Sequence, residues 1–309
     1  MIDITVILCT YNRCESLASS LDSVAALRMP DSVSWEVLVV DNNSTDGTRD
    51  VVEGYGRRNP ERFRYLLESK QGLCHARNAG VENARGKIIA FTDDDAIVES
   101  TWLQNLTATL HGDEWAGAGG RILPEKVFSR PEWMPTEGRY PLGPLAMFDL
   151  GGEARSLHEP PFGVSMAFRK AMFEKYGRFR IDLDRCGNDL ISNGDTEFGQ
   201  RLLESGERLR YEPSAVTYHC VPQSRIQKRY FLDWWFNKAR SDIRQQGGAG
   251  GTKWRVAGVP LLLLPRLCVS VLRWATTIET RRRFSNKIAA WSCAGQIREY
   301  YHLRTKPKG

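Results

Sequence analysis

KIIAFTDDDAIVES, Lys87–Ser100, is an apolar run that ends abruptly in three consecutive aspartates. Carboxylates this close repel and raise one another's pKa, so Asp93, Asp94 and Asp95 imply a positive group beside them. KIIAFT itself reads as a buried strand that delivers the acids at its carboxyl end. Acidic residues after a strand are ordinary turn formers, and for a single aspartate that reading would prevail. Three in a row after a buried strand favour a site.

Upstream, strand and helix periods alternate. TVILC (Thr5–Cys9) reads as a buried strand, followed by a helix with apolar residues at Leu17, Leu21, Val24 and Leu27. WEVLVV (Trp35–Val40) is a second strand that ends in Asp41, and DNNSTDGT behind it is turn and capping chemistry before a helix that buries Val51, Val52 and Tyr55. RFRYLLE is a third strand, and GLCHARNAGVENARG is a helix rich in small residues leading into KIIAFT. This alternation predicts an α/β fold, a mostly parallel sheet with helices on both faces. Ligands of such sheets bind at the carboxyl ends of the strands, so Asp41 and the aspartate cluster fall on one edge. Several hard oxygen ligands there call for Mn²⁺ or Mg²⁺, ions that complete their shell with substrate phosphate. A metal bridging to a diphosphate is the simplest occupant.

The 309 residues, 41% hydrophobic and 26% charged, suffice for one large α/β core or a core plus an appendage. The net charge of +6 is unevenly spread: Arg281, Arg282, Arg283, Lys287, Arg298, Arg304, Lys306 and Lys308 crowd the C-terminus and suit an anionic surface. The cysteines at 9, 14, 74, 186, 220, 268 and 293 are odd in number and form no CxxC pair, which reads as reduced thiols in a cytoplasmic protein. MIDITVILCT has no basic n-region, so no secretory signal is expected. Val256–Ala275 is interrupted by two prolines, Arg266 and Arg273, and falls short of the roughly 20 apolar residues of a spanning helix. Two readings stand side by side for it. Trp254, Leu261–Leu264, Leu267, Val271 and Trp274 dip into lipid as an interfacial helix, or the segment packs as a helix pair on the catalytic domain. Phe231, Trp234, Trp235 and Lys238 recur at helical spacing ahead of it, and QQGGAGGT (245–252) reads as a flexible joint.

CTYNR (Cys9–Arg13), VDNNSTDGT (Val40–Thr48), ARNAG (Ala76–Gly80), DDDA and GDTEFGQRL (Gly194–Leu202) stand in an order and spacing that resemble family 2 glycosyltransferases over about residues 3–220. The resemblance implies a GT-A fold, a nucleotide-sugar donor with UDP as the default, and inverting transfer. It points to Thr10, Tyr11, Arg13 and Asp41 as holding the nucleoside, a carboxylate suiting the uracil N3–H and a tyrosine covering the base. Arg77 would meet phosphate. Asp93 and Asp95 match the family's DxD motif; Asp93 and its neighbour Asp94 belong to the donor side, and Asp95 ligates the metal. His219, in YEPSAVTYHCV, matches the histidine the family supplies to the same ion.

Asp195 aligns with the aspartate of the family's GEDxE element and is the expected base, with Glu197 or Asp189 as alternatives. The family's glutamate before it is Gly194 here, preceded by Asn193. Gly194, Glu197 and Trp133, the last in the long Pro/Gly-rich loop that also carries Tyr140 and Phe148, are assigned to the acceptor side. PFGVSMAFRK resembles a family strand in which Val164 and Ser165 replace Ala-Asn, leaving room for the sugar or simply forming core. The chain then reads as a catalytic domain, 1–222, and a helical C-terminal extension, 223–309. The expectation is a cytoplasmic enzyme, with peripheral contact at the inner face of the cell membrane, whose acceptor is a lipid-linked or cell-surface glycan, and no nucleic-acid partner is expected. Two other classes remain: a sugar nucleotidyltransferase, although CTYNRCES lacks the glycines of a phosphate loop, and a noncatalytic nucleotide-sugar binding protein.

Overall fold

Four mainly apolar strands lie parallel at the heart of the sheet: β1 (Ile4–Thr10), β2 (Trp35–Asp41), β3 (Phe63–Leu67) and β4 (Ile88–Asp93), in the order β3-β2-β1-β4. Between them run α1 (Cys14–Ala25), α2 (Thr48–Arg58) and α3 (Leu73–Asn83). The computed structural model describes residues 2–137, 141–183, 191, 193–248 and 254–305.

The period of two along each strand sorts side chains between two apolar layers. Ile4, Val6 and Leu8, with Val37 and Val39, pack against Leu17, Leu21 and Val24 of α1 and Val52 and Tyr55 of α2. Ile7, Leu38 and Val40 face the other way, onto Ala76 and Val81 of α3. Helices therefore cover both faces, as the alternation predicts.

Beyond β4 the sheet changes character. β5 (Ala96–Val98) begins after only Asp94 and Asp95, too short a link for a parallel crossover, and joins the far edge instead. The remaining elements are α4 (Trp102–Thr107), β6 (Gly117–Pro124), β7 (Arg155–Leu157), β8 (Met166–Arg169), α5 (Lys170–Tyr176), α6 (Gly194–Glu204) and β9 (Leu209–His219). β8 enters antiparallel between β4 and β6, β6 runs parallel to β9, and β5 and β7 both run antiparallel to β9. The full order is β3-β2-β1-β4-β8-β6-β9-β5, with β7 beside β9. The parallel half thus matches the expectation, and the second half is mixed. Phe91, Phe168, Phe173, Phe179 and Phe198 form one ring cluster that ties α5 and α6 to this half.

Two compact units result: one from Met1–Lys126, Ala146–Asp184 and Gly194–Cys220, the other from Val127–Leu145, Arg185–Asn193 and Val221–Gly309. The first unit holds the sheet. The second is built on α7 (Lys228–Gln245), α8 (Leu263–Thr276) and α9 (Thr280–Thr305). Within it Glu299 of α9 is fully buried and accepts from Arg240 Nε at 3.1 Å and Arg244 Nε at 2.8 Å, both on α7. Trp133 stacks edge-on against Phe231 and Phe284, with ring centroids 5.2 and 4.9 Å apart. Among the described residues no helix is long and apolar enough to cross a membrane.

Candidate active site

Sheet register assembles the acids. Thr10 lies opposite Asp41 across β1 and β2, and Cys9 lies opposite Asp93 across β1 and β4, so three strand ends present polar residues on one edge. Ala96 of β5 lies opposite His219 of β9, which brings the imidazole alongside Asp95 from 124 residues downstream.

The two loops behind these strand ends lock together. Asn12 and Asn43 both have a positive φ, which Asn tolerates better than most residues. Asn12 donates its backbone N–H to Ser44 Oγ at 2.9 Å, and its side-chain oxygen accepts from the Thr45 N–H at 2.7 Å. Asp46 accepts from the Thr48 hydroxyl and N–H and from the Cys14 N–H, and the Thr48 hydroxyl above all lowers its pKa to about 2. DNNSTDGT is therefore the turn chemistry read from sequence, and it also fixes where Arg13 starts. Asp41 accepts from the Ser44 N–H at 2.9 Å and the Tyr65 hydroxyl at 2.8 Å. Burial and then Asp41 push the Tyr65 hydroxyl up to about 12. Tyr11, between β1 and α1, is 43% exposed.

The positive groups implied by the three aspartates include two arginines. Arg13 Nη1 donates to Asp94 Oδ1 at 3.0 Å and Asp95 Oδ2 at 2.8 Å. Arg77, on α3 and only 5% exposed, lies 3.9 Å from Asp93 Oδ1 and 4.0 Å from Asp195 Oδ2. Burial works against its charge, but Asp195 and Asp93 outweigh burial and raise its pKa. Desolvation raises Asp93 and carries Asp94 up to about 6, against the pull of Arg77 and Arg13 respectively, with Asp95 adding to both. Burial thus outweighs both arginines at Asp93 and Asp94.

His219 Nε2 stands 3.4 Å from Asp95 Oδ1. Neighbouring ligands on an ion with bonds of about 2.1 Å lie about 3 Å apart, so a nitrogen and a carboxylate oxygen at this separation fit a divalent cation. Among the described residues no group of three or more His, Cys, Asp or Glu is placed to hold a metal ion, so protein ligation here rests on Asp95 and His219 alone. The donor set fits an ion that takes two protein ligands and fills its shell from water and substrate oxygens, the habit of Mg²⁺-like cations.

Asp195, near the start of α6, faces Arg77. Its Oδ2 accepts the Gly163 N–H at 2.7 Å, and its Oδ1 accepts the Thr196 N–H at 2.9 Å. Each carboxylate oxygen retains a second lone pair. A Cβ at position 163 would stand 2.2 Å from Arg77 Nη2 and 2.7 Å from Asp195 Oδ2, so any larger residue there would displace the ends of both side chains. Sequence reasoning missed Gly163, because a backbone N–H carries no residue-type signal. Gly194 is explained the same way: a Cβ there would meet Cys74 Sγ at 2.2 Å. Glu197 is buried and gives both oxygens to Arg201, from Nε at 3.1 Å and Nη2 at 2.8 Å. Asp189, the other alternative base, lies outside the described residues, as do Tyr140, Cys186, Lys306 and Lys308. Val164 and Ser165 are buried, and Ser165 Oγ accepts from Trp102 Nε1 at 2.8 Å, so this pair is packing rather than open space. Trp133 belongs to the second unit, edge-on to Phe231 and Phe284.

The family model for glycosyl transferase family 2 matches residues 5–177. The chain belongs to that family. It is a glycosyltransferase with the GT-A fold, and membership removes the nucleotidyltransferase alternative. Over 229 residues it is 27% identical to the glycosyltransferase AglE of Haloferax volcanii, covering 74% of this chain and 70% of that one. It is 29% identical over 225 residues to the succinoglycan biosynthesis protein ExoM of Rhizobium meliloti, covering 72% and 68%. A mannosyltransferase from Pyrobaculum calidifontis, solved with GDP-Man and Mn²⁺, superposes with a TM-score of 0.60 at 21% identity, over 94% of this chain and 72% of its own.

Proposed function

We propose that this family 2 enzyme moves a sugar from a nucleotide-diphosphate donor, UDP by default, to a hydroxyl of a lipid-linked or cell-surface glycan, with inversion and with Asp195 as base. The observation that carries the reading is the position of Arg77, a buried guanidinium facing Asp93 on the donor side and Asp195 on the other. Donor binding and proton removal thereby meet at one cation. The ExoM relative, named for polysaccharide biosynthesis, and the mannosyltransferase complex with GDP-Man and Mn²⁺ support the glycan and nucleotide-sugar parts.

Tyr11 and Asp41 receive the base, and Thr10 and Arg13 line the same strand ends. Asp95 and His219 would hold a Mn²⁺ or Mg²⁺ ion, which supplies positive charge against the diphosphate. Arg77 adds fixed positive charge where the leaving group becomes more negative. As the acceptor oxygen attacks the anomeric carbon from the face opposite the departing nucleotide, Asp195 takes its proton. The Gly163 N–H and Thr196 N–H hold that carboxylate in one orientation and leave a lone pair for the acceptor. Glu197 is occupied by Arg201, which supports Asp195 over it as base.

Titration calorimetry with UDP, GDP and dTDP, each with and without Mn²⁺, tests the donor half. One nucleotide should bind in a metal-dependent way, and Asp95→Ala should abolish that dependence. Asp195→Asn should bind the nucleotide normally and lose sugar transfer. Normal transfer by Asp195→Asn removes it as the base, and donor bound without any turnover by the wild type returns the protein to the noncatalytic binding class.

A further inference from the structure

Large apolar side chains on the surface are not scattered evenly over this protein. Of the fourteen exposed among the described residues, nine lie between Trp254 and Ile278. The same stretch contains no Asp or Glu and carries Arg255, Arg266 and Arg273; just beyond it Glu279 is followed by Arg281, Arg282 and Arg283. Apolar exposure and uniform positive charge coincide on one segment.

The geometry of α8 separates these properties by face. Leu263 is buried, Leu267, Ser270 and Trp274 are half-buried, and the Trp274 ring meets Trp291 of α9 edge-on at 5.9 Å. That side of the helix is taken. At about 100° per residue, Leu264, Val269, Val271 and Leu272 lie on an arc of about 160° on the opposite side. Leu272 is 63% exposed, and Leu262, just ahead of the helix, is 62% exposed. Arg266 and Arg273 come together at one margin of this arc, both exposed. A helix of 14 residues is about 21 Å long, too short to span a hydrocarbon core of about 30 Å, but suited to lying in its interface.

We propose that the α8 face docks on an anionic lipid bilayer, with the leucines and valines among the acyl chains and the arginines at headgroup phosphates. Arginine stems cover apolar surface while their guanidinium groups reach phosphate, which is how such a margin works in an interface. A second copy of the chain fits less well, because the patch itself holds no carboxylate to pair with Arg266 and Arg273. The proposal deepens the lipid-linked acceptor reading and rests on it only for its purpose: a membrane-docked enzyme meets that acceptor in two dimensions.

The full-length protein should cosediment with vesicles of phosphatidylglycerol and phosphatidylcholine, and on the order of tenfold less with phosphatidylcholine alone. The double variant Leu264→Ser/Leu272→Ser should lose about as much, and Arg266→Glu/Arg273→Glu should lose binding together with its salt dependence. All four side chains are exposed, and unchanged far-UV circular dichroism checks that each variant folds. No binding of the wild type to anionic vesicles overturns the proposal. So does a wild-type dimer, seen by light scattering, that the leucine variant dissociates without any effect on vesicles. Neither donor nor acceptor is in this assay, so its failure leaves the transfer reading standing, and failed transfer leaves the docking result standing.

Discussion

Position 194 departs from the family pattern, and Cys74 supplies the reason. Its sulfur occupies the space a side chain at 194 would need, so the glycine and the cysteine are one packing decision made at two places 120 residues apart. Gly194→Ala should therefore destabilise by about 1–3 kcal/mol through overpacking, even though alanine is the better helix former. In a Cys74→Ala background the same change should cost far less, giving a coupling of about 0.5–3 kcal/mol in a double-mutant cycle read by urea unfolding. Additivity within about 0.5 kcal/mol would show that the pair does not share space. Much at this scale was legible. Asp41, Asp93, Asp95 and Asp195 are recognisable because their type and their place after a strand or at a helix start carry chemistry. What stayed hidden has no such signal: the Gly163 N–H is backbone, and the Arg13 pairs with Asp94 and Asp95 span more than 80 residues with no local period.

At the level of elements, the same contrast follows from how order is encoded. β1 to β4 announce themselves by apolar runs broken by turn residues, and each is joined to the next by a helix, which dictates parallel neighbours. β5 to β9 are short or irregular, and their pairings depend on partners far along the chain, so the mixed half of the sheet could not be read locally. The helices after His219 are visible as periods, but not what fastens them. Glu299 on α9 fastens α7 through Arg240 and Arg244, with all three side chains largely removed from water. Removing one member of a buried ion group leaves the others desolvated and uncompensated, at a cost of about 3–5 kcal/mol. Glu299→Ala should lose about that much in guanidinium unfolding, whereas Glu299→Gln, which keeps the oxygen acceptor, should lose less. A change under about 1 kcal/mol for Glu299→Ala would mean that the arginines find solvent and that the contact is worth no more than a surface pair.

Two compact units on one chain carry different tasks in this reading, and ligand linkage can separate them. Every residue assigned to the donor, the ion and the base lies in the first unit, while α8, proposed to dock on lipid, lies in the second. A ligand that binds only the folded state stabilises by RT ln(1 + [L]/Kd), about 2.7 kcal/mol at a hundredfold excess over Kd. That stabilisation is expressed where the ligand's contacts are, and it reaches other segments only as far as their opening is coupled to the site. With the nucleotide that calorimetry selects, plus Mn²⁺ at saturation, amide exchange should slow in the interlocked loops behind β1 and β2 and in the segment from Asp93 to Ala96. Asp95→Ala should remove the metal-dependent part of that protection. Anionic vesicles should instead slow exchange around α8 and leave the β1 and β2 loops unchanged. Protection by nucleotide concentrated in α7 to α9 would move the donor site off the carboxyl edge of the sheet, and the acids gathered there by register would then need another partner.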